Sequence, residues 1–151
     1  MDSSACHKKA LELLARRPHF RAQLERKLRQ RAFAESDVEE VIARLTADGY
    51  LDDRSQARLY VERSVERKAY GPRRLKIELL RRGVEIEVAE EALGEYFPDQ
   101  ESAIARRAAA SWRPPGDKAP DALARHLDRH GFTAPVIREV LRNLRTADQE
   151  H

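Results

Sequence analysis

The most basic stretch of the chain lies near its middle, where residues 63–82 carry eight Arg or Lys side chains against two acids, Glu66 and Glu78. Guanidinium and ammonium groups at this density attract phosphates and carboxylates. We therefore expect this stretch to contact an anionic partner. Tyr70 is expected at the edge of this contact surface, either as a further contact or as a packing residue. The candidate contact residues are Arg63, Arg67, Lys68, Tyr70, Arg73, Arg74, Lys76, Arg81 and Arg82.

Charges of opposite sign are separated along the chain. Residues 16–31 hold seven basic side chains and one Glu, whereas residues 35–53 hold seven acids and a single Arg. Residues 83–101, after the basic stretch, hold seven acids and no base. Two interpretations remain open. The segments pair with one another as solvated faces, or they form separate surfaces, one for an anionic and one for a cationic partner.

Residue patterns typical of catalysis are missing from the sequence. It contains no phosphate-binding Gly loop, no Gly-x-Ser-x-Gly motif and no Cys pair. His126 and His130 are four residues apart, but no third ligand lies nearby in sequence, so a solvated helix face is favoured over a metal site. The carboxylates of residues 85–101 form no evident acid–base pair. We expect a protein that is not an enzyme, with no catalytic residue, no metal and no cofactor.

The basic stretch contains the signals of one short helix. Pro72 suits a first helical position, where the N–H that proline lacks would have no partner. Leu75 and Leu79 share one face and are expected in the core. Gly83 suits the left-handed position just past a helix end.

This pattern recurs twice. Leu75, Leu79 and Gly83 correspond to Leu24, Leu28 and Ala32 at a shift of 51 residues, and to Leu123, Leu127 and Gly131 at a shift of 48. Repeats of this period indicate a helical array. We predict an all-α fold of three tandem three-helix repeats, covering residues 1–51, 52–98 and 99–151, that form an elongated, curved array.

Composition agrees with this class of fold. The chain is 41% hydrophobic and 36% charged, with six Gly and seven Pro among 151 residues, as is typical of helical proteins. One Cys excludes an internal disulfide, which suits a reducing compartment. No apolar run approaches the roughly 20 residues of a membrane span, and no signal-peptide pattern is present. We expect a cytoplasmic monomer with no membrane partner.

Several short motifs resemble those of the RecX family, the regulators of the bacterial recombinase RecA. They are Gly49-Tyr50-Leu51-Asp52-Asp53, Tyr60-Val61, Tyr70-Gly71-Pro72-Arg73-Arg74-Leu75, Glu78-Leu79 and Arg82-Gly83-Val84. The resemblance implies three-helix repeats that lie in the groove of the RecA–single-stranded-DNA filament. It also implies inhibition of the ATPase activity, filament growth and strand exchange of RecA, and so modulation of recombination, DNA repair and the SOS response.

The sequence departs from the family at a few helix ends. Phe20 stands where a capping Ser is usual, and Ala32 and Ala69 stand where Gly is usual. We predict that Ala32 is left-handed, at a cost of about 1 kcal/mol relative to Gly.

Two capping patterns, Ser36-Asp37-Val38-Glu39 and Asp53-Arg54-Ser55-Gln56, predict helix N-caps at Ser36 and Asp53.

The predicted partners are the RecA filament and single-stranded DNA, which is bound directly or through the filament. Two other functions remain open. The protein could bind single-stranded DNA without RecA, with the basic helix following the phosphates. A steep salt dependence on naked DNA would favour that function. It could also be a helical-repeat scaffold for another acidic protein, which a pull-down would identify.

Overall fold

The structure is a computed structural model that describes residues 3–112 and 119–149. Within these ranges it contains helices and no strand, which confirms the all-α class. The helices are α1 Ser3–Arg16, α2 Arg21–Gln30, α3 Glu35–Ala47, α4 Asp53–Lys68, α5 Pro72–Arg81, α6 Ile86–Tyr96, α7 Glu101–Ala110, α8 Ala119–His130 and α9 Ala134–Gln149. The predicted break at Pro114–Gly116 lies outside the described residues. The elongated shape and the repeat boundaries stay predictions.

The chain divides into two compact units. The first comprises the described residues up to position 57 together with residues 79–89, and the second comprises residues 58–78 and the described residues from position 90 onward.

Helices α1 to α3 pack together as the core of the first unit. Its buried residues follow the three-to-four-residue spacing of one helix face. Leu24 and Leu28 of α2 are fully buried, as the repeat pattern predicted. The cluster consists of Cys6, Ala10, Leu13, Leu24, Leu28, Val38, Val41, Ile42, Leu45 and Leu51. Burial raises the pKa of the Cys6 thiol, so this cysteine behaves as a small apolar core residue.

Helices α7, α8 and α9 pack pairwise within the second unit. Leu127 of α8 and Phe132, the apolar residue after the Gly131 stop, are both fully buried. Fully burying side chains of this size contributes about 1.5–3 kcal/mol each. Phe132 therefore belongs to the core of the second unit.

Left-handed residues end the helices where the sequence predicts them. Gly83 and Gly131 have φ values of +83° and +94°. Ala32 has a φ of 65°, which confirms the predicted left-handed alanine, and Ala69 has a φ of 51°. Both alanines occupy a conformation that favours glycine.

The predicted N-caps at Ser36 and Asp53 are wrong. Helix α3 begins at Glu35, and its N-cap Ala34 has no side chain that can accept a hydrogen bond. Asp52 caps α4 instead, because its carboxylate accepts hydrogen bonds from the backbone N–H and the hydroxyl of Ser55, at 3.2 and 2.9 Å. Asp52 therefore performs the local capping that the pattern had assigned to its neighbour.

Candidate functional site

Seven of the nine candidate contact residues lie on two helices, and Tyr70 lies between these helices. Helix α4 carries Arg63, Arg67 and Lys68. Helix α5 carries Arg73, Arg74, Lys76 and Arg81, and Arg82 follows it. Arg81 and Arg82 fall in the first unit, whereas the other seven candidates fall in the second.

Arg63 and Arg67 are exposed and four residues apart on α4, so they share one face of that helix. Neither forms an ion pair with any residue that the structure describes. Their charges are therefore available to an external anion.

Arg73 and Lys76 instead pair with acids of the same unit. Nη1 of Arg73 lies 3.0 Å from Oδ1 of Asp128 and also donates to the backbone carbonyl of Phe132. Nζ of Lys76 lies 3.1 Å from Oε1 of Glu90. These pairs are solvent-exposed, so each contributes at most about 1 kcal/mol. For these two residues the geometry agrees with pairing inside the chain, one of the two interpretations of the charge pattern.

Tyr70 is half-buried among cations and an imidazole. The guanidinium carbon of Arg74 lies 3.7 Å from its ring centroid, and the Lys68 ammonium lies 5.6 Å from it. The ring also meets His130 edge-on, with centroids 5.2 Å apart. Cation–π contacts of this kind contribute about 0.5–1 kcal/mol at exposed sites. These neighbours favour the packing interpretation of Tyr70, while contact with a partner stays a prediction.

Backbone hydrogen bonds join the start of α5 to the end of α8. Gly71 N–H donates to the carbonyl of His130 at 2.7 Å, and Arg73 N–H donates to the carbonyl of Gly131 at 2.9 Å. Each bond satisfies a donor at a helix start and an acceptor at a helix end, both of which lack partners within their own helices. The motif Tyr70-Gly71-Pro72-Arg73 therefore has a structural role within the second unit.

The two histidines of α8 are half-buried in a stack of rings, so the expected solvated face is wrong. The His126 ring stacks on Trp112 with centroids 4.7 Å apart, and it lies 4.2 Å from the His130 ring. Burial lowers the pKa of both histidines, and nearby positive charges lower it further. Within residues 3–112 and 119–149, no three His, Cys, Asp or Glu side chains are arranged to hold a metal.

The motif Gly49-Tyr50-Leu51-Asp52-Asp53 connects the helices of the first unit. Leu51 is buried, and Oδ1 of Asp53 accepts a hydrogen bond of 2.8 Å from the backbone N–H of Arg21, at the start of α2. Burial raises the pKa of Asp53, and the hydrogen bond from Arg21 offsets part of that effect. Asp53 thus supplies the cap that Phe20 cannot, while Phe20 N–H donates to Oε1 of Gln23 at 3.1 Å.

A second group of basic side chains, which the sequence prediction did not single out as contacts, surrounds a cavity of the first unit. It includes Arg16, Arg17, Lys27 and Arg31. The signal for it was the excess of basic residues in the segment 16–31. The cluster became visible only when the structure brought the end of α1 and the length of α2 together around one opening.

Helices α1 to α3 pack against one another, and so do helices α7 to α9. Short motifs form hydrogen bonds between helix ends. This architecture is that of an all-helical protein built from three-helix repeats. Residues 6–45 match the family domain described as "RecX, first three-helix domain", and residues 52–93 match "RecX, second three-helix domain". No helix in the described part of the chain is both long and apolar enough to cross a membrane.

Individual relatives agree with these matches. Regulatory protein RecX of Thermus thermophilus is 44% identical over 133 residues, which is 88% of this chain and 87% of the relative. Regulatory protein RecX of Prosthecochloris aestuarii is 33% identical over 150 residues, covering 96% and 97% of the two chains. The crystal structure of RecX from Lactobacillus salivarius matches 95% of this chain and 97% of its own, with a TM-score of 0.86 at 22% identity. The chain belongs to the RecX family of regulatory proteins.

Proposed function

We propose that the protein is a cytoplasmic, monomeric, non-enzymatic negative regulator of RecA. It binds in the groove of the RecA–single-stranded-DNA filament and inhibits the ATPase activity, filament growth and strand exchange of RecA. The observation that carries this proposal is the RecX family membership, which extends over most of the chain. Through RecA the protein modulates recombination and DNA repair.

Arg63 and Arg67 are the first contacts that we assign to the filament. They are exposed on one face of α4 and have no acidic partner in the described residues. Protein carboxylates and DNA phosphates both lie in the filament groove, so an unpaired cation gains attraction there without breaking an existing ion pair. Arg73, Arg74 and Lys76 must first exchange contacts inside the second unit.

The remaining candidates would contact the filament from the same basic stretch. Arg81 is exposed and without an ion-pair partner among the described residues, so we assign it as a further contact. Lys68, Tyr70 and Arg82 are also assigned as contacts.

The test measures RecA ATPase activity on single-stranded DNA while the protein is titrated in. We expect wild type to lower the rate. Arg63→Glu combined with Arg67→Glu should require about tenfold more protein for the same inhibition, since about 1.4 kcal/mol of binding free energy corresponds to a factor of ten. No inhibition by wild type would overturn the proposed function itself.

The matched control combines Arg44→Glu with Arg138→Glu, which reverses two exposed arginines outside the basic stretch. Both double variants replace two arginines by two glutamates, so they change the net charge by the same amount. Neither control arginine forms an ion pair with a described residue, so the fold should be preserved. We expect the control to inhibit nearly as well as wild type. Equal loss in both double variants would show that net charge matters, and that the face of α4 does not.

A further inference from the structure

A cavity of about 500 Å³ in the first unit is bordered by the end of α1 and by α2. Arg16, Arg17, Lys27 and Arg31 line it, together with His19 and Leu13, and none of its lining residues is acidic. Four formal positive charges therefore surround one opening with no negative charge among them. Such a cavity focuses positive potential and concentrates anions.

His19 fixes the geometry of one wall. Its side chain is buried, with Nδ1 2.8 Å from the carbonyl of Arg17 and Nε2 2.7 Å from Nζ of Lys27. A lysine ammonium only donates, so Nε2 accepts and the proton on Nδ1 donates to the carbonyl. The imidazole is thus neutral and holds the ammonium in place. Burial lowers the pKa of His19, and the charge of Lys27 lowers it further.

The arginines of the cavity differ from Arg29 of α2 in having no acidic partner. Arg29 of α2 forms ion pairs with Glu25 and Glu35. In contrast, Arg16, Arg17 and Arg31 are exposed and form no ion pair with any residue in the described part of the chain. Burial lowers the pKa of Lys27, and the charges of these three arginines lower it further, so an anion in the cavity would relieve repulsion that the chain itself leaves uncompensated.

We propose that this cavity binds the phosphates of a nucleic-acid backbone. Guanidinium groups match phosphate oxygens with paired hydrogen bonds. A nucleic-acid strand carries one negative charge on every nucleotide, so adjacent phosphates can meet several of the four cations at once. The cavity lining offers no exposed aromatic face for base stacking, so the binding should be independent of base sequence. This site goes beyond the proposed function, because it requires no RecA.

The test measures binding of the full chain to a fluorescein-labelled oligothymidylate by fluorescence anisotropy, without RecA, over a range of salt concentrations. The test variant combines Arg16→Gln with Arg31→Gln. Neither arginine forms an ion pair with a described residue, so the substitutions break none. The control combines Arg26→Gln with Arg44→Gln, two exposed arginines of the first unit that lie outside the cavity. Both variants lose two positive charges, and circular dichroism verifies that both remain folded.

We expect wild type to bind with a strong salt dependence. In the test variant the slope of log K against log salt should become shallower by about 1.4, because each phosphate contact on a single strand contributes about 0.7. The control should keep nearly the wild-type slope. Absence of binding by wild type, or equal loss in both variants, would overturn the proposal without affecting the RecA assay.

A competitor separates phosphate recognition from general attraction to anions. Unlabelled oligothymidylate should displace the probe from wild type at a lower charge concentration than polyglutamate does. If polyglutamate competes equally well, the cavity is a carboxylate site and the assignment to nucleic acid fails.

Discussion

Gly71 and Gly131 lie backbone against backbone in the second unit. A Cβ added to Gly71 would stand 2.6 Å from the carbonyl carbon and oxygen of Gly131, a distance that real Cβ atoms do not adopt. Gly71 precedes α5 and Gly131 follows α8, so this contact lets the backbone at the start of one helix reach the carbonyls at the end of the other. The glycine of the RecX-like motif and the glycine of the repeat stop thus serve one junction.

We predict that Gly71→Ala lowers the free energy of unfolding by about 1–3 kcal/mol, the usual cost of overpacking. The added methyl group would separate the two backbones and weaken both hydrogen bonds between α5 and α8. Urea denaturation measures the change. Gly94→Ala is the control, because Gly94 lies inside α6 with open space around it, and it should stabilise by about 0.5–1 kcal/mol. A Gly71→Ala variant as stable as wild type would contradict the close contact.

We predict that Ala32→Gly stabilises the first unit by up to about 1 kcal/mol, because Ala32 has a left-handed φ of 65° that glycine adopts without strain. Thermal unfolding followed by circular dichroism measures the change. Gly49→Ala provides the reverse substitution, since Gly49 has a φ of +83° and nothing within 4 Å of an added Cβ. It should destabilise through backbone strain alone. A lower melting temperature for Ala32→Gly would show that the added entropy of the unfolded chain outweighs the strain.

Helix positions and helix stops could be predicted from the sequence because both depend on neighbouring residues. Leu75 and Leu79 are four apart and share a face on any helix, and both are fully buried. Gly83 and Gly131 end helices through their own backbone preference, and both are left-handed. These features need no knowledge of how distant segments pack.

Contacts between distant segments could not be predicted in the same way. Asp53 caps a helix that begins 32 positions earlier, and Arg73 pairs with an acid 55 positions later. A charge pattern shows where cations lie along the chain, but it does not show which of them meet an acid after folding. For that reason the sequence grouped Arg63 with Arg73, although only the former is without an ion-pair partner in the described residues.

Stability should fall as the solution becomes acidic, because the pKa values of His19, His126 and His130 are lowered in the folded protein. Above the unfolded pKa of about 6.5, the histidines are neutral in both states. Below it the unfolded chain binds protons first, so the free energy of unfolding decreases. The positive charges of Arg74 and Arg129 near His130 act in the same direction as burial.

Urea denaturation at pH 7.5 and pH 5.5 measures this dependence. His130→Phe keeps a ring beside Tyr70 and removes one titrating group, so the variant should lose less stability than wild type over the same interval. Equal losses in the two proteins would show that His130 does not contribute to the pH dependence.

We expect that the second repeat requires the third repeat in order to fold. A fragment that ends at Pro98 lacks the third repeat and tests this expectation. The repeat pattern alone predicts that residues 1–98 form a folded fragment that binds and inhibits weakly. In the structure, residues 58–78 share a compact unit with the chain beyond position 98. Truncation there removes the acceptors of the Gly71 and Arg73 amides, and it removes the Arg107 guanidinium that donates to the Val65 carbonyl.

We therefore predict that the fragment 1–98 is only partly folded. Helices α1 to α3 bury their own core, so their amides should keep hydrogen-exchange protection, whereas the amides of residues 58–78 should exchange much faster than in the full chain. Because that segment carries Arg63 and Arg67, the fragment should also inhibit RecA ATPase poorly. Protection of residues 58–78 equal to that in the full chain would contradict the structural dependence. Full inhibition by the fragment would show that the third repeat is dispensable for regulation.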